Sequence, residues 1–188
     1  RNKSQIPIRK NKEGKLICGF FANHSHRIIE FEHCLLQSNV FNNALNALKE
    51  WMLLYKIEPY DEEKHSGTIR HLYLREAKKT KEVMVCIVVN SDKVLNHENE
   101  LVKILRDKIE SLKTVVINVN TKRTNVITGD KCRVIYGDGY ITDELCGLKF
   151  NISPLSFYQV NRDQAERLYN KAMEYAAVSS KDILIDII

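Results

Sequence analysis

Apolar and polar positions alternate along the first part of the chain and then switch to a helical spacing. Residues 4–9 and 16–22 read as strands on either side of the polar turn Asn11–Gly14, a hairpin signal. Ile28 to Phe31 is a further short strand. Phe41, Ala44, Leu45, Leu48, Met52 and Tyr55 then recur every three or four positions, which predicts an amphipathic helix over about 37–56, with Pro59 beyond its end. Gly67 opens a strand over about 68–76, and the polar turn Lys78–Lys81 leads into a Val- and Ile-rich strand at 82–90. Leu101, Ile104, Leu105 and Ile109 mark one face of a second helix, Asn96 to Ser111, and a strand follows at 114–120.

The order from Ile28 to Asn120 is β-α-β-β-α-β, which predicts a split βαβ, ferredoxin-like α+β unit. Such a sheet carries both helices on one face and leaves the other free. RNA-recognition modules use that free face to stack bases on aromatics. Their signature, K/R-G-F/Y-G/A-F-V-x-F/Y, is missing from both central strands, so topology alone does not imply that mode of binding.

A polar connection, Thr121 to Lys131, separates this unit from a β segment at 133–136 and 140–152, punctuated by Gly137, Gly139 and Gly147. A third helix is predicted over 161–177, with Asn161 as N-cap, Gln164 in capping-box position, and an apolar stripe of Ala165, Leu168, Tyr169, Ala172 and Ala176. Ile183–Ile188 reads as a buried parallel strand. A helix followed by such a strand resembles the opening of a doubly wound α/β domain, so a domain boundary is expected near residue 150.

Composition narrows the class. The chain has 188 residues, 44% of them hydrophobic, enough for one domain and part of another. Its longest uninterrupted apolar run, Val83 to Val89, is seven residues, against the roughly 20 a bilayer requires. The chain begins with Arg1 rather than Met and closes on "DILIDII", a strand that stops without a turn, so both ends read as cut from a longer protein. The net charge of +5 is uneven: residues 1–81 hold 15 Lys and Arg against 9 acids. Arg1, Lys3, Arg9, Lys10, Lys12 and Lys15 face one acid, Glu13, in the first fifteen residues. A basic segment ahead of a neutral body suits a polyanion such as RNA, although a solvated strand with a Lys-rich turn has the same composition. The five cysteines form no C-x-x-C pair, and free, scattered thiols fit the reducing cytoplasm.

The segment Ser153 to Asn161, "SPLSFYQVN", followed by Gln164, Ala165, Glu166, Leu168 and Tyr169, resembles the start of the catalytic domain of RNA (uracil-5-)methyltransferases. "RNKSQIPIR" at 1–9, "GFFANHSHRI" at 19–28 with Cys34 after it, "IRHLYLR" at 69–75 and "ITDELCGLKFNISP" at 141–154 agree with the family's order. The 153–161 stretch is the most specific piece. The ribosomal (23S) RNA branch looks closest, ahead of the transfer RNA branch.

The resemblance implies a division into a central RNA-binding domain, 1–150, and the start of a Rossmann-like S-adenosylmethionine-dependent domain, 151–188. It implies methyl transfer to C5 of uridine. A cysteine thiolate adds to C6, C5 takes the methyl group, a general base removes the C5 proton, and the thiolate leaves. None of the five cysteines matches the nucleophile's motif. This stretch alone is therefore expected to be catalytically inert and to bind the cofactor negligibly.

Gln159 matches the family glutamine at the S-adenosylmethionine site, and Phe157 and Tyr158 are expected beneath the cofactor. A loop amide capping the next helix is the plainer reading of Gln159. Asp186 matches the first residue of the family's glycine loop, although Ile188 stands where an aromatic is usual. Cys34 matches the fourth ligand of a [4Fe–4S] cluster, whose other three thiolates would precede Arg1. RNA contacts are expected at Arg1, Lys3, Arg9, Arg70 and Arg75, with Arg70 and His71 facing opposite ways on their strand. His24 and His26 read as exposed loop residues. Two further readings compete: a self-contained ferredoxin-like RNA-binding module without catalysis, and a ferredoxin-like regulatory domain that binds no nucleic acid. An orphan strand at 183–188 favours the methyltransferase over the self-contained module, and salt-dependent RNA binding separates both from the regulatory domain.

Overall fold

The computed structural model describes residues 1–25, 27–31, 34–179, 181–183 and 185. Nine strands and three helices are found among them. They are β1 (Lys3–Lys10), β2 (Leu16–Phe21), β3 (Ile28–Glu30), α1 (Asn39–Leu54), β4 (Ile69–Glu76), β5 (Val83–Val89), α2 (Glu98–Lys108), β6 (Leu112–Val119), β7 (Lys131–Tyr136), β8 (Ile141–Leu145), β9 (Leu148–Ile152) and α3 (Arg162–Ala176). A seven-stranded sheet runs in the order β3-β2-β1-β4-β5-β6-β7, and β8 and β9 form a separate hairpin. All pairs are antiparallel except β5 with β6.

Sheet order follows from which strands are apolar on both faces. Every residue of β5 is buried, so it must lie centrally, and burying each large side chain there contributes about 1.5–3 kcal/mol. On one face, Ile6 and Ile8 of β1, Leu72 and Leu74 of β4, the odd-numbered residues of β5, and Val115 and Ile117 of β6 pack under both helices. Phe41, Ala44, Leu45, Leu48 and Trp51 of α1 and Leu101 and Leu105 of α2 complete that core. Glu98 and Glu100 in the first turn of α2 and Arg106 and Lys108 in its last complement the helix dipole.

The elements appear in the predicted order, but the split βαβ arrangement does not form. That arrangement would insert β3 between β5 and β6. Here β5 and β6 pair directly, and β3 lies at the far edge beside β2. With three residues and Ile29 half exposed, β3 cannot hold a central position, whereas β1 supplies Ile6 and Ile8 and pairs with β4.

The second face is not free either. Tyr73, Cys86, Val88 and Val116 pack with Ile127 of the connection after β6. Ala77 and Met84 pack against Ile141 and Ile152 of the hairpin and against Tyr158. The hairpin turn is Cys146–Gly147, both with positive φ (52° and 79°), the backbone of a two-residue turn that matches strand twist. Among the described residues, no helix is long and apolar enough to cross a membrane.

Candidate nucleic-acid interface

Lys3 opens β1, and Arg75 lies opposite it near the end of β4. Both cations lie over one ring, that of Tyr73, at 5.8 and 5.5 Å from its centroid. Burial and the neighbouring Arg75 charge hold the Lys3 ammonium below its ordinary pKa. Two like charges facing across a strand pair repel, and an anion bound beside them would relieve that repulsion. Arg75 itself is buried and spends its guanidinium on the Tyr73 hydroxyl and the Ser156 carbonyl. Lys3 is only half buried, and with Arg1, Phe20, Cys34, Gln37 and Val160 it lines a cavity of about 440 Å³.

The 153–161 segment is irregular in backbone but fixed by bonds from three directions. The Ser153 N–H donates to the Ser156 hydroxyl at 3.1 Å. Asn2 donates its side-chain amide to the Gln159 carbonyl and its backbone N–H to the Val160 carbonyl, each at 3.1 Å, while its own carbonyl accepts from Glu76 at 3.0 Å. The Tyr158 hydroxyl donates to the Asp143 carboxylate at 3.1 Å, and burial together with that negative charge pushes the phenol pKa upward. Arg162, 6% exposed, donates to the Glu144 carbonyl at 2.9 and 2.6 Å and pairs with Glu166 at 2.6 Å.

These bonds set α3 in place without the expected cap. Asn161 occupies the N-cap position, but its side chain makes no cap hydrogen bond. Only Arg162 and Ala165 of α3 are buried, so the predicted apolar stripe faces outward at Leu168 and Tyr169.

The expected site residues separate into two groups. Arg1, Lys3, Cys34, Arg75 and Gln159 gather at one end of the β1–β4 pair. Arg9 and Arg70 sit at the other end. Arg9 pairs with Glu62 and donates to the Arg70 carbonyl at 3.1 Å. Arg70, expected to point outward, is 2% exposed. It is the extra residue of a bulge between Ile69 and His71, which breaks the alternation the sequence suggested. Its guanidinium donates to the carbonyls of Asn120, Lys122 and Thr124 at 2.8, 2.8 and 3.2 Å and stacks on Tyr60 at 4.4 Å. Arg70 thus braces the connection after β6. Asp186 and His26 lie outside the described residues. So does much of the expected strand 183–188, of which Ile183 and Ile185 are exposed and not in a strand. His24 is exposed in a turn with φ of 51°.

Gln159 is half exposed, and its amide NH2 stands 3.5 Å from the Tyr169 hydroxyl. An amide there can donate and accept toward the polar groups of S-adenosylmethionine. Phe157, 86% exposed, points outward beside it, whereas Tyr158 is committed to Asp143 and the core. Among the described residues expected at the cofactor, Phe157 and Gln159 keep side chains open to solvent, whereas Tyr158 is held by Asp143. Cys34 is a free, half-buried thiol on the wall of the cavity and fits one ligand position of a cluster. Among the described residues, no three His, Cys, Asp or Glu side chains group to hold a metal ion.

Asn2 and Asp143 were missed in the sequence. Asp143 had a readable signal: in Ile141–Leu145 the period of two places it on the buried face with Ile141 and Leu145. Asn2 had none, because its partners lie in a distant segment.

No family model matches the chain. It is 43% identical over its whole length to a protein of Caldanaerobacter subterraneus subsp. tengcongensis named an uncharacterized RNA methyltransferase, covering 41% of that protein. It is 42% identical over 99% of its length to one of the same name from Halalkalibacterium halodurans, covering 40% of it. The chain thus spans about 40% of the length of these relatives. Among solved structures, it resembles the Pyrococcus abyssi tRNA (uracil-54, C5)-methyltransferase in complex with S-adenosyl-L-homocysteine. The TM-score is 0.76 and the identity 27%, over 93% of this chain and 40% of that one.

Proposed function

Because the chain belongs to the RNA methyltransferase family, we infer that it is the RNA-facing part of an S-adenosylmethionine-dependent enzyme that methylates uridine at C5. Residues 1–150 form the central RNA-binding domain, and 151–188 begin the cofactor domain. The observation that carries this reading is the clasp of Asn2 on Gln159 and Val160, which sets the residue matching the family's cofactor glutamine beside the cations Arg1 and Lys3. RNA bound there meets the cofactor loop directly.

When bound, S-adenosylmethionine supplies the methyl group. This chain's own part is to hold that molecule with Gln159 and Phe157 and to place phosphates with Arg1 and Lys3. The nucleophilic cysteine and the general base belong to the rest of the protein, so this stretch by itself is inactive. Cys34 supplies one thiolate to a [4Fe–4S] cluster in the full-length protein. The enzyme works in the cytoplasm.

The RNA class we propose is ribosomal, 23S. Transfer RNA is the second reading, favoured by the substrate named for the Pyrococcus abyssi enzyme. The test incubates the full-length protein with methyl-labelled S-adenosylmethionine and either ribosomal or transfer RNA transcripts. Label at C5 of a uridine in ribosomal RNA, and a raised cofactor KM in Gln159→Ala, is the expected result. Label in transfer RNA alone moves the substrate to the second reading. Label on another base or position overturns the uridine C5 assignment.

A further inference from the structure

Asp143 is fully buried and ion-pairs with no cation within 4 Å among the described residues; its carboxylate instead collects three donors from two distant segments. Oδ2 accepts the Lys78 N–H at 3.0 Å and the Tyr158 hydroxyl at 3.1 Å, and Oδ1 accepts the Lys79 N–H at 2.9 Å. Lys78 and Lys79 belong to the turn between β4 and β5, and Tyr158 precedes Gln159. One carboxylate therefore fixes that turn against the cofactor loop.

A carboxylate is needed for this. Asparagine would present an NH2 to one of the N–H donors and leave it unpaired in the interior. The turn is fixed further by Thr80, whose hydroxyl donates to the Thr142 carbonyl at 2.6 Å, and by the Lys81 N–H to the Ala77 carbonyl at 3.1 Å.

What the rigid turn presents is charge. Ala77–Lys81 carries three exposed lysines and no acid. Lys78 and Lys81 line a cavity of about 300 Å³ with Arg1, Val160 and Arg162. The acids there are Glu76 and Asp163, and Asp163 pairs with Lys78 at 3.5 Å in the open. Arg162 is matched by Glu166, which leaves a net positive wall continuous with Arg1 and Val160.

We propose that the Ala77–Lys81 turn is a phosphate-contacting element of the RNA surface, and that Asp143 is the positioning residue that holds it in register with Gln159. This rests on the reading of the chain as part of an RNA methyltransferase. The turn positions without reading sequence, because lysine ammonium groups meet phosphates as point charges.

The test uses the full-length protein, a uridine-containing single-stranded RNA and S-adenosylhomocysteine as probes. Replacing Lys78, Lys79 and Lys81 by Gln lowers the slope of log affinity against log salt by about 2, at roughly 0.7 per phosphate contact, and leaves cofactor binding unchanged. Asp143→Asn weakens RNA and S-adenosylhomocysteine together, each by about tenfold. Tyr158→Phe, which keeps the ring and the packing, weakens S-adenosylhomocysteine alone.

An unchanged salt slope in the lysine variant overturns the phosphate contact. Lowered melting temperatures in Asp143→Asn and Tyr158→Phe with both dissociation constants at the parental values overturn the positioning role. Gln159→Ala separates the two readings. If it leaves S-adenosylhomocysteine binding unchanged, the cofactor role of Gln159 falls, while the salt slope still decides the turn.

Discussion

Asn2 and Gln159 lie 157 positions apart, and the Asn2 side-chain amide donates to the Gln159 carbonyl at 3.1 Å. The same residue grips Val160 and Glu76 through its backbone, so the start of β1, the end of β4 and the loop before α3 meet at one point. Asn2→Ala keeps the two backbone bonds and removes the side-chain one. The expected loss is about 1 kcal/mol, confined to the loop. Hydrogen exchange at 156–161 should quicken while protection of β5 stays unchanged. Equal acceleration in β5 would show that Asn2 stabilises the whole fold rather than the loop.

Arg70 is a keystone of the interior. It stacks on Tyr60 and donates to three carbonyls of the connection after β6. Arg70→Met removes the charge and orphans those carbonyls, some of them away from water. The expected cost is roughly 3 kcal/mol, read as a lowered denaturant midpoint with little change in slope. Arg70→Lys should recover only part of it, because one ammonium cannot span three acceptors held in a fork. RNA affinity measured on the folded variant should not fall. A fall would return Arg70 to the RNA surface.

His71 gives the fold an acid sensitivity. It is buried, its Nδ1 has no hydrogen-bond partner among the described residues, and burial followed by the charges of Arg9 and Arg70 lowers its pKa from 6.5 to about 3. Between those two values the unfolded chain binds a proton that the folded chain does not. Stability is therefore complete above about pH 6.5 and declines as pH falls toward about 3, by at most about 5 kcal/mol. His71→Gln should flatten the profile between pH 6.5 and 4.5, above the range where carboxylates contribute. A profile that His71→Gln leaves unchanged would assign the acid sensitivity to other groups.

How much of this was legible in the sequence depends on the range of the interaction involved. The strands and helices were readable because Phe41 to Tyr55 and Val83 to Val89 announce their burial by local spacing. The sheet order was not, because β1 and β3 both offered a partner and only three-dimensional competition decides between them. The bulge at Arg70 was hidden for a related reason: one extra residue re-aims a side chain without altering composition. Gln159 and Lys3 came from a motif and from charge. The residues that fix them, Asn2 and Asp143, act across 157 and 65 or fewer positions, where no periodicity reaches.

Cys34 separates a ligand role from plain packing. It is a free thiol at intermediate exposure that shares a cavity wall with Arg1 and Lys3. In full-length protein purified without oxygen, visible absorption of an iron–sulfur cluster is expected. It should be lost in Cys34→Ala but retained in Cys132→Ala, whose thiol lies on β7. Loss in both variants, or in neither, would remove Cys34 from the ligand set.

The outward face of α3 yields the last prediction. Leu168 and Tyr175, seven positions apart and so on one side of the helix, are 65 and 76% exposed, with Phe157 at 86% beside its start. Apolar surface on that scale is covered in a stable protein. If residues 151–188 begin a second domain, the rest of that domain is what covers it. Leu168→Glu together with Tyr175→Glu should then improve the solubility of the 188-residue stretch, where the helix faces water. The same pair should lower the stability of the full-length protein by several kcal/mol, because two charges would be buried without partners. Expression yield and light scattering read the first effect, and thermal denaturation reads the second. A full-length protein that tolerates both charges without loss would show that this face stays exposed, and the assignment of 151–188 to the cofactor domain would fall.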